Sequence, residues 1–466
     1  METQTLPPVK GAAQGSFQFV LFATAVAALG GFLFGYDTAV INGANTYLQT
    51  HFALDPEKDS MWIGLATASA ILGCIPGAMA AGFISDKFGR RRVLFFCALL
   101  YALSGILSAI PQTFAQFIAA RILSGIAIGV SSMICPVYIA ELAPPEWRGR
   151  LGSLFQLGIV TGIFLTLFIN GWIQRPDDLA WNAAYGWRWM LAAEAVPASI
   201  FLLLLFPVPE SPRWLIAAGR EAEARRTLQR IGGDSHAETE IAAVKAVLQQ
   251  EEGSLSELFS PSYRLPLLIA FVLMVGSQFS GINAIMYYST EIFKNATGDA
   301  KAAFTSSVWI GLVNLVSTFI AILFVDRAGR KPLLLLGNAV QVVALVSVGW
   351  IYSRDPHSGA LLRFVILYIA AFAMAMGPLP WIVCSEIFPA KLRGRAMSVS
   401  TFCIWSGCLI VAQTFPYLLN HIGPSRTFWI YATCSAATFL LVLLCLPETK
   451  GRTLEEIETS WRAKHR

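Results

Sequence analysis

Long apolar runs separated by short polar breaks recur twelve times along the chain. Six fall near residues 17–41, 61–83, 93–110, 115–139, 150–173 and 187–207, and six more near 265–288, 304–325, 332–352, 362–385, 396–419 and 427–446. Each is close to the roughly 20 residues that cross a bilayer as a helix. No run alternates with the two-residue period of a membrane barrel, so the pattern predicts helices. The one long polar interruption, roughly 208–262, carries Leu228, Ile231, Ile241, Val244 and Leu248 at helical spacing among charged residues. That periodicity predicts short amphipathic helices rather than a disordered linker.

The polar breaks repeat in order. Asp86 to Arg92 (Asp-Lys-Phe-Gly-Arg-Arg-Arg) returns as Asp326 to Lys331 (Asp-Arg-Ala-Gly-Arg-Lys). Glu141 and Arg148, seven apart, return as Glu386 and Arg393, and Pro209-Glu210-Ser211 returns as Pro447-Glu448-Thr449. The offsets are 240, 245 and 238. Two copies of one unit predict two pseudo-symmetric six-helix bundles, an arrangement suited to alternating access. The expected divisions are a tail over 1–16, a first bundle over 17–207, a helical insert over 208–262, a second bundle over 263–449 and a tail over 450–466.

Composition agrees with an all-α membrane protein: 55% hydrophobic, 12% aromatic and only 14% charged residues. With the N-terminus inside, cytoplasmic segments hold 25 of the 34 basic residues. Both termini and the insert are therefore expected in the cytoplasm, and the net charge of +5 reflects this bias rather than a nucleic-acid surface. The polar start lacks the pattern of a cleavable signal peptide, so the first span is expected to serve as the insertion signal. All eight cysteines fall in or at the ends of spans, which argues for packing and against a disulfide framework. No Cys/His spacing suggests a metal site, and nothing calls for a cofactor.

Charge inside the spans is rare, so each instance carries information. Asp37 in span 1, Arg121 in span 4 and Glu194 in span 6 fall at estimated depths of roughly 6, 9 and 12 Å from the outer face, at about 1.5 Å per residue. At those depths they can meet. Such a group is either a structural ion cluster or a proton site, since small rearrangements around a buried carboxylate load or release a proton. The five histidines all lie in loops or tails.

The second half carries amides instead. Gln278 and Asn283 lie in span 7 and Asn314 in span 8, while Trp381 follows Gly377-Pro378-Leu379-Pro380 in span 10. Gln156 in span 5 raises the same question from the first half. Amides donate and accept hydrogen bonds, and an indole can cover the apolar face of a sugar ring, so the set suits a neutral polar ligand. For any one amide an interhelical hydrogen bond is an equal alternative. The Gly/Pro break in span 10 adds to the case, because interrupted helices mark transport sites. Gly31/Gly35, Gly73/Gly77, Gly125/Gly129 and Gly158/Gly162 have the spacing of close helix packing.

The repeated charges fall at the inner ends of spans 2–5 and 8–11. Asp86, Arg90, Glu141, Arg148 and Glu210, with Asp326, Arg330, Glu386, Arg393 and Glu448, can form carboxylate–guanidinium pairs there. Pairs bridging the halves would act as a cytoplasmic latch, closed when the cavity opens outward and broken when it opens inward. Topology control by basic loops accounts for the arginines but not for the glutamates.

These motifs, with Pro209 to Leu215 (Pro-Glu-Ser-Pro-Arg-Trp-Leu), Gln278 to Asn283 (Gln-Phe-Ser-Gly-Ile-Asn) and Gly377 to Trp381 (Gly-Pro-Leu-Pro-Trp), resemble the sugar porter branch of the major facilitator superfamily over nearly the whole chain. The resemblance implies twelve helices, a central sugar site and a cytoplasmic helical insert. Proton-coupled bacterial members carry an Asp in the Phe-Gly-Tyr-Asp segment, which here is Phe34 to Asp37, where facilitators commonly have an amide. By the same carry-over Arg121 and Glu194 are its partners. Gln156, Gln278, Asn283, Asn314 and Trp381 match sugar-binding positions, Phe34 and Trp405 line the cavity, and Tyr287 and Tyr288 match the external gate. Two departures, Ser277 before Gln278 and Ile404 before Trp405, replace residues that are amides in many members and would alter which sugar is accepted.

The expectation is thus a monosaccharide–proton symporter of a bacterial-type inner membrane, functional as a monomer, with sugar, proton and lipid bilayer as its partners. A facilitator in which Asp37 is merely structural is the alternative. A sugar receptor on a transporter scaffold is a more distant one, and no nucleophile–base constellation suggests an enzyme.

Overall fold

A computed structural model describes residues 16–248 and 255–448, apart from the side chains of 247, 248, 255, 325–328 and 390. The side chain of Asp326 and nearly all of both tails lie outside the described residues. Every regular element among the described residues is helical, and twelve stretches are long and apolar enough to cross a membrane.

In the first half these are α1 (Phe17–His51), α2 (Ser60–Phe88), α3 (Arg90–Ala109), α4 (Phe114–Leu142), α5 (Arg148–Ile173) and a sixth span over Leu179–Leu204. Helix α1 runs ten residues beyond the expected end at Ile41, since no proline falls in Asn42 to Thr50 and Gly43 packs closely against Asn170 of α5. Asp37 therefore sits fourteen residues before the helix end rather than four, near the middle of α1.

The sixth span is irregular. A π-helical turn at Asn182–Gly186 leads into α6 (Trp187–Ala192), and Ala193 and Glu194 separate it from α7 (Ala195–Leu204). Pro197 supplies no N–H to the carbonyl of Ala193, which instead accepts from Val196 N at 3.2 Å. The tightened turn puts Glu194 at a kink.

The two main packings of the first half, α2 on α4 and α1 on α5, depend on small residues. A Cβ on Gly125 would run into the Ala70 carbonyl, and one on Gly35 into that of Ile159. These glycines pack helices, as their spacing predicts.

Between the halves lie α8 (Pro212–Ala217), capped by the Ser211 side chain on Trp214 N, and α9 (Glu221–Leu248), which bends at Gly233. Leu228, Ile231 and Ile241 of α9 are buried, so the apolar periodicity of this segment is used. Ser16 N donates to Arg230 O at 2.9 Å, and the Arg230 guanidinium lies 3.8 Å from the Phe19 ring centroid, tying α9 to the start of α1.

The second half opens with a broken span, α10 (Arg264–Phe279) and α11 (Ile282–Thr297). Gly281 joins them at φ +86°, where a Cβ would meet the Tyr431 ring. Only glycine tolerates both conditions. Then follow α12 (Ala300–Ala328), α13 (Arg330–Arg354), α14 (Ala360–Met374), α15 (Leu379–Glu386), α16 (Ala390–His421) and α17 (Pro424–Cys445). The break between α14 and α15 falls at Ala375–Pro378, as the Gly/Pro run predicts. The halves meet where α2 packs on α16, α5 on α12 and α1 on α11. All eight cysteines are free thiols.

Candidate transport site

The three intramembrane charges come together inside the first half. Arg121 Nη1 of α4 lies 2.5 Å from Asp37 Oδ1 of α1, and Arg121 Nη2 donates to the Asp37 carbonyl at 3.4 Å. Both side chains are fully buried, as is that of Glu194. Glu194 lies within electrostatic reach of both, with its Cβ backed by Gly105 of α3. Beyond the Arg121–Asp37 ion pair, Asp37 Oδ2, Arg121 Nε, Glu194 Oε1 and the neighbouring Tyr36 hydroxyl have no hydrogen-bond partner among the described residues. An ion pair with a second carboxylate in its field, and spare donors and acceptors around it, can be remade rather than acting as a saturated clamp.

The amides of the second half gather around the break in span 7. Asn283 Nδ2 donates to Gln278 Oε1 at 2.5 Å and to Cys408 Sγ at 3.0 Å, and Gln278 Nε2 donates to Ser277 Oγ at 3.0 Å. The Tyr287 hydroxyl lies 3.7 Å from the same Cys408 sulfur. Gln156 on α5 and Asn314 on α12 make no side-chain hydrogen bond among the described residues; Gln156 is half-buried and Asn314 buried. Trp381 on α15 is half-buried. The rings of Phe34 and Trp405 lie 5.5 Å apart, linking α1 to α16 across the halves. Tyr288 of the expected gate donates to Ala412 O at 3.2 Å and packs on Phe415, so both tyrosines bind α11 to α16.

On the face opposite the arginine motifs, Asn42 of α1 clasps α11. Its Nδ2 donates to Met286 O at 2.5 Å and Ser289 Oγ at 2.6 Å, and its Oδ1 accepts from Thr290 N at 3.1 Å and from the Thr290 hydroxyl. Every partner is buried, and Ser307 of α12 closes the network behind them. Gln413 Nε2 to Met61 O at 2.7 Å and Asn420 Nδ2 to Pro56 O at 2.6 Å join the halves on the same side.

The arginine motifs pair differently from expectation. Arg90 holds Glu141 in a two-pronged contact at 3.1 and 3.2 Å and Asp86 at 2.9 Å, and Ser211 Oγ donates to Glu141 at 2.5 Å. Glu210 caps α3 by accepting from Arg91 N at 3.0 Å. The second half repeats this: Arg330 contacts Glu386 at 3.0 Å, and Glu448 accepts from Arg330 N at 3.0 Å and Lys331 N at 3.1 Å. These pairs lie within a half, so in this conformation they brace each bundle instead of bridging the two. Among the described residues Arg148, which is exposed, has no ion-pair partner, and Arg393 is half-buried with its Nε unpartnered. The positive φ of Gly89 and Gly329, +93° and +89°, brings each helix start onto its glutamate.

Among the described residues no cluster of His, Cys, Asp and Glu could hold a metal ion. Sequence reasoning missed Asn42, treated Cys408 as packing, and did not use Pro197. An amide just past the end of the first apolar run was the available signal for the first, and a proline three residues after an intramembrane glutamate for the last.

A family model described as "Sugar (and other) transporter" matches residues 23–461. The chain is 41% identical to the arabinose-proton symporter of Bacillus subtilis over 461 residues, covering 98% of each. It is 36% identical to the D-xylose-proton symporter of Escherichia coli over 477 residues, covering 96% of this chain and 97% of that one. The inward-open structure of the E. coli xylose transporter superposes with a TM-score of 0.85 at 35% identity, over 95% of this chain and all of that one.

Proposed function

The chain belongs to the sugar porter family of the major facilitator superfamily, and from that premise we propose how its two halves divide the work of proton-coupled sugar symport. It is a multi-pass membrane transporter that couples sugar movement to protons, as its relatives' names indicate. Asp37 takes and releases the proton. Arg121 sets its affinity by pairing with the ionised form, and Glu194 competes for the same guanidinium, so movement of the Glu194 kink changes how strongly Asp37 is held. The observation that carries this reading is a buried Arg121–Asp37 ion pair with a second buried carboxylate, Glu194, in its field. A structural ion cluster would be expected to satisfy its oxygens, and Asp37 Oδ2 and Glu194 Oε1 have no hydrogen-bond partner among the described residues.

The sugar is held chiefly by the second half. Gln278 and Asn283 at the span 7 break, Asn314 and Trp381 supply hydrogen bonds and an aromatic plate, with Gln156, Phe34 and Trp405 completing the wall. Tyr287 and Tyr288 form the outer gate with α16. The clasp opposite the arginine motifs and the bracing of each bundle by its own glutamates support an inward-facing conformation, with both termini cytoplasmic. In the outward-facing state Arg148 and Arg393 become the residues free to reach across to the other half.

Uptake in energised vesicles tests the reading. Wild-type protein accumulates a pentose or hexose above equilibrium, and a protonophore reduces this to equilibration. Asp37→Asn equilibrates and exchanges sugar but does not accumulate it. Accumulation that survives complete collapse of the proton gradient, or that persists in Asp37→Asn, sinks the assignment.

A further inference from the structure

Away from the transport site, on the face of the arginine motifs, a cavity of about 550 Å³ opens between the start of α3, the end of the sixth span and the insert helices. Four arginines line it, Arg91, Arg92, Arg220 and Arg226, against only Glu210 and Glu223. Both carboxylates are occupied. Glu210 caps α3, and Glu223 takes a two-pronged contact from Arg220 at 2.7 and 2.6 Å. The Arg91 side chain is spent on the carbonyls of Leu205 and Phe206, at 3.2 and 2.5 Å. Arg92 and Arg226 are exposed and make no ion pair among the described residues. Two guanidiniums outside any ion pair among the described residues, on one cavity, are a ready fork for phosphate oxygens.

The other wall is apolar. Phe95 and Phe206 meet edge to face at 4.9 Å, and Phe206 is 62% exposed. From Arg92, the exposed residues Phe96, Leu99, Leu103 and Ile106 continue along one face of α3. Leu203 and Ile200 are exposed on the neighbouring α7. The cavity is thus an arginine pocket at the foot of an apolar, bilayer-facing track.

We propose that this cavity binds the phosphate headgroup of an anionic phospholipid of the inner leaflet, with an acyl chain lying along α3. Arg92 and Arg226 grip the phosphate from two elements, α3 of the first bundle and α9 of the insert, so the lipid staples the insert to the bundle. The net positive lining selects an anionic headgroup over a zwitterionic one, and the apolar track selects a lipid over a free phosphate.

The test uses the full-length protein in detergent, titrated with phosphatidylglycerol, phosphatidylcholine, glycerol 3-phosphate or inorganic phosphate, with bound molecules counted by intact-protein mass spectrometry. One phosphatidylglycerol is retained about tenfold more tightly than phosphatidylcholine. Arg92→Ala and Arg226→Ala each lose most of that preference, while Arg264→Ala, which removes a basic charge elsewhere at an inner helix end, keeps it. The apolar arm is checked by Leu99→Ser, which weakens the lipid without changing binding of glycerol 3-phosphate. Equal retention of the two lipids, or retention unaffected by Arg92→Ala and Arg226→Ala, overturns the proposal. Displacement of the lipid by equimolar glycerol 3-phosphate or inorganic phosphate also overturns it and gives the cavity to a soluble phosphate.

Discussion

Replacing Asn42 by alanine should move the resting population of the transporter, and the size of the shift follows from the clasp. Asn42 makes four hydrogen bonds to α11, all buried. The Ser289 and Thr290 hydroxyls keep Ser307 as a partner after the change, and Thr290 N and Met286 O have the i, i−4 spacing of an intrahelical pair within α11, so no group is stranded and only the net worth of the four bonds is lost. At the low end of about 0.5–1.5 kcal/mol for a net hydrogen bond, the conformation closed at this face loses about 2–3 kcal/mol. The conformation open at this face loses little, because water serves the same groups once the helices part. The conformational equilibrium then shifts about 30- to 150-fold toward opening. Spin labels at Lys58 and Lys301, exposed residues at this end of opposite halves, report it as a longer separation by pulsed electron resonance in a background without native cysteines. A distance distribution identical to that of Asn42 protein would refute the clasp.

Three further outcomes follow from the packing and the charges. Arg121→Ala leaves Asp37 buried without its paired cation and with Glu194 still in its field, and should cost about 3–5 kcal/mol in detergent unfolding, with Arg121→Lys intermediate; loss below about 1 kcal/mol would contradict the pairing. Gly125→Ala forces a Cβ into the Ala70 carbonyl and should destabilise by at least about 1–3 kcal/mol, whereas Gly149→Ala, with open space around it, should be near neutral by the same measurement. In the insert, Lys245 and Arg220 hold the carboxyls of Glu221 and Glu223 below their ordinary value of 4.5. Such depressed groups contribute fully above that value and lose their contribution as pH falls through the lowered folded values. Hydrogen exchange of α9, corrected for intrinsic rates, should therefore be flat from pH 8 to 5.5 and rise only below about 4.5; loosening between pH 7 and 5.5 would count against these pairs.

The twelve spans and their pairing into halves were legible because a bilayer imposes length and apolarity that no packing detail overrides. The meeting of Asp37, Arg121 and Glu194 was legible for a related reason: isolated charges in hydrocarbon must find one another. The end of α1 was not. Helix α1 continues past the apolar run, and polar residues such as Asn42, Asn45 and Thr46 carry the helix on where hydropathy alone suggests an end. The kink at Glu194 depends on one missing N–H at Pro197, which leaves no trace in an apolar pattern. The arginine motifs announced ion pairs through their repetition, yet the partner of each was a tertiary fact. Glu141 meets Arg90 from the neighbouring loop, while Arg148, seven residues on in sequence, points to solvent. Spacing along a chain says little about pairing between helices. The clasp was hidden for the same reason, since Asn42 and Thr290 are 248 residues apart.

The three buried charges all come from the first half, whereas most of the amides at the break in span 7 and beyond come from the second. The gene is in that sense two separately editable instruments. On the proposed division of work, substitutions around Gln278, Asn283, Trp381 and Trp405 would retune which ligand is accepted while Asp37, Arg121 and Glu194, and with them the energy source, are inherited unchanged. Phe34 and Gln156 are the exceptions, and changes there touch both instruments at once. A lineage adapting to a new carbon source would be expected to accumulate its changes in the second half first. An engineer seeking new specificity should randomise there too, and leave the helices of the first half alone.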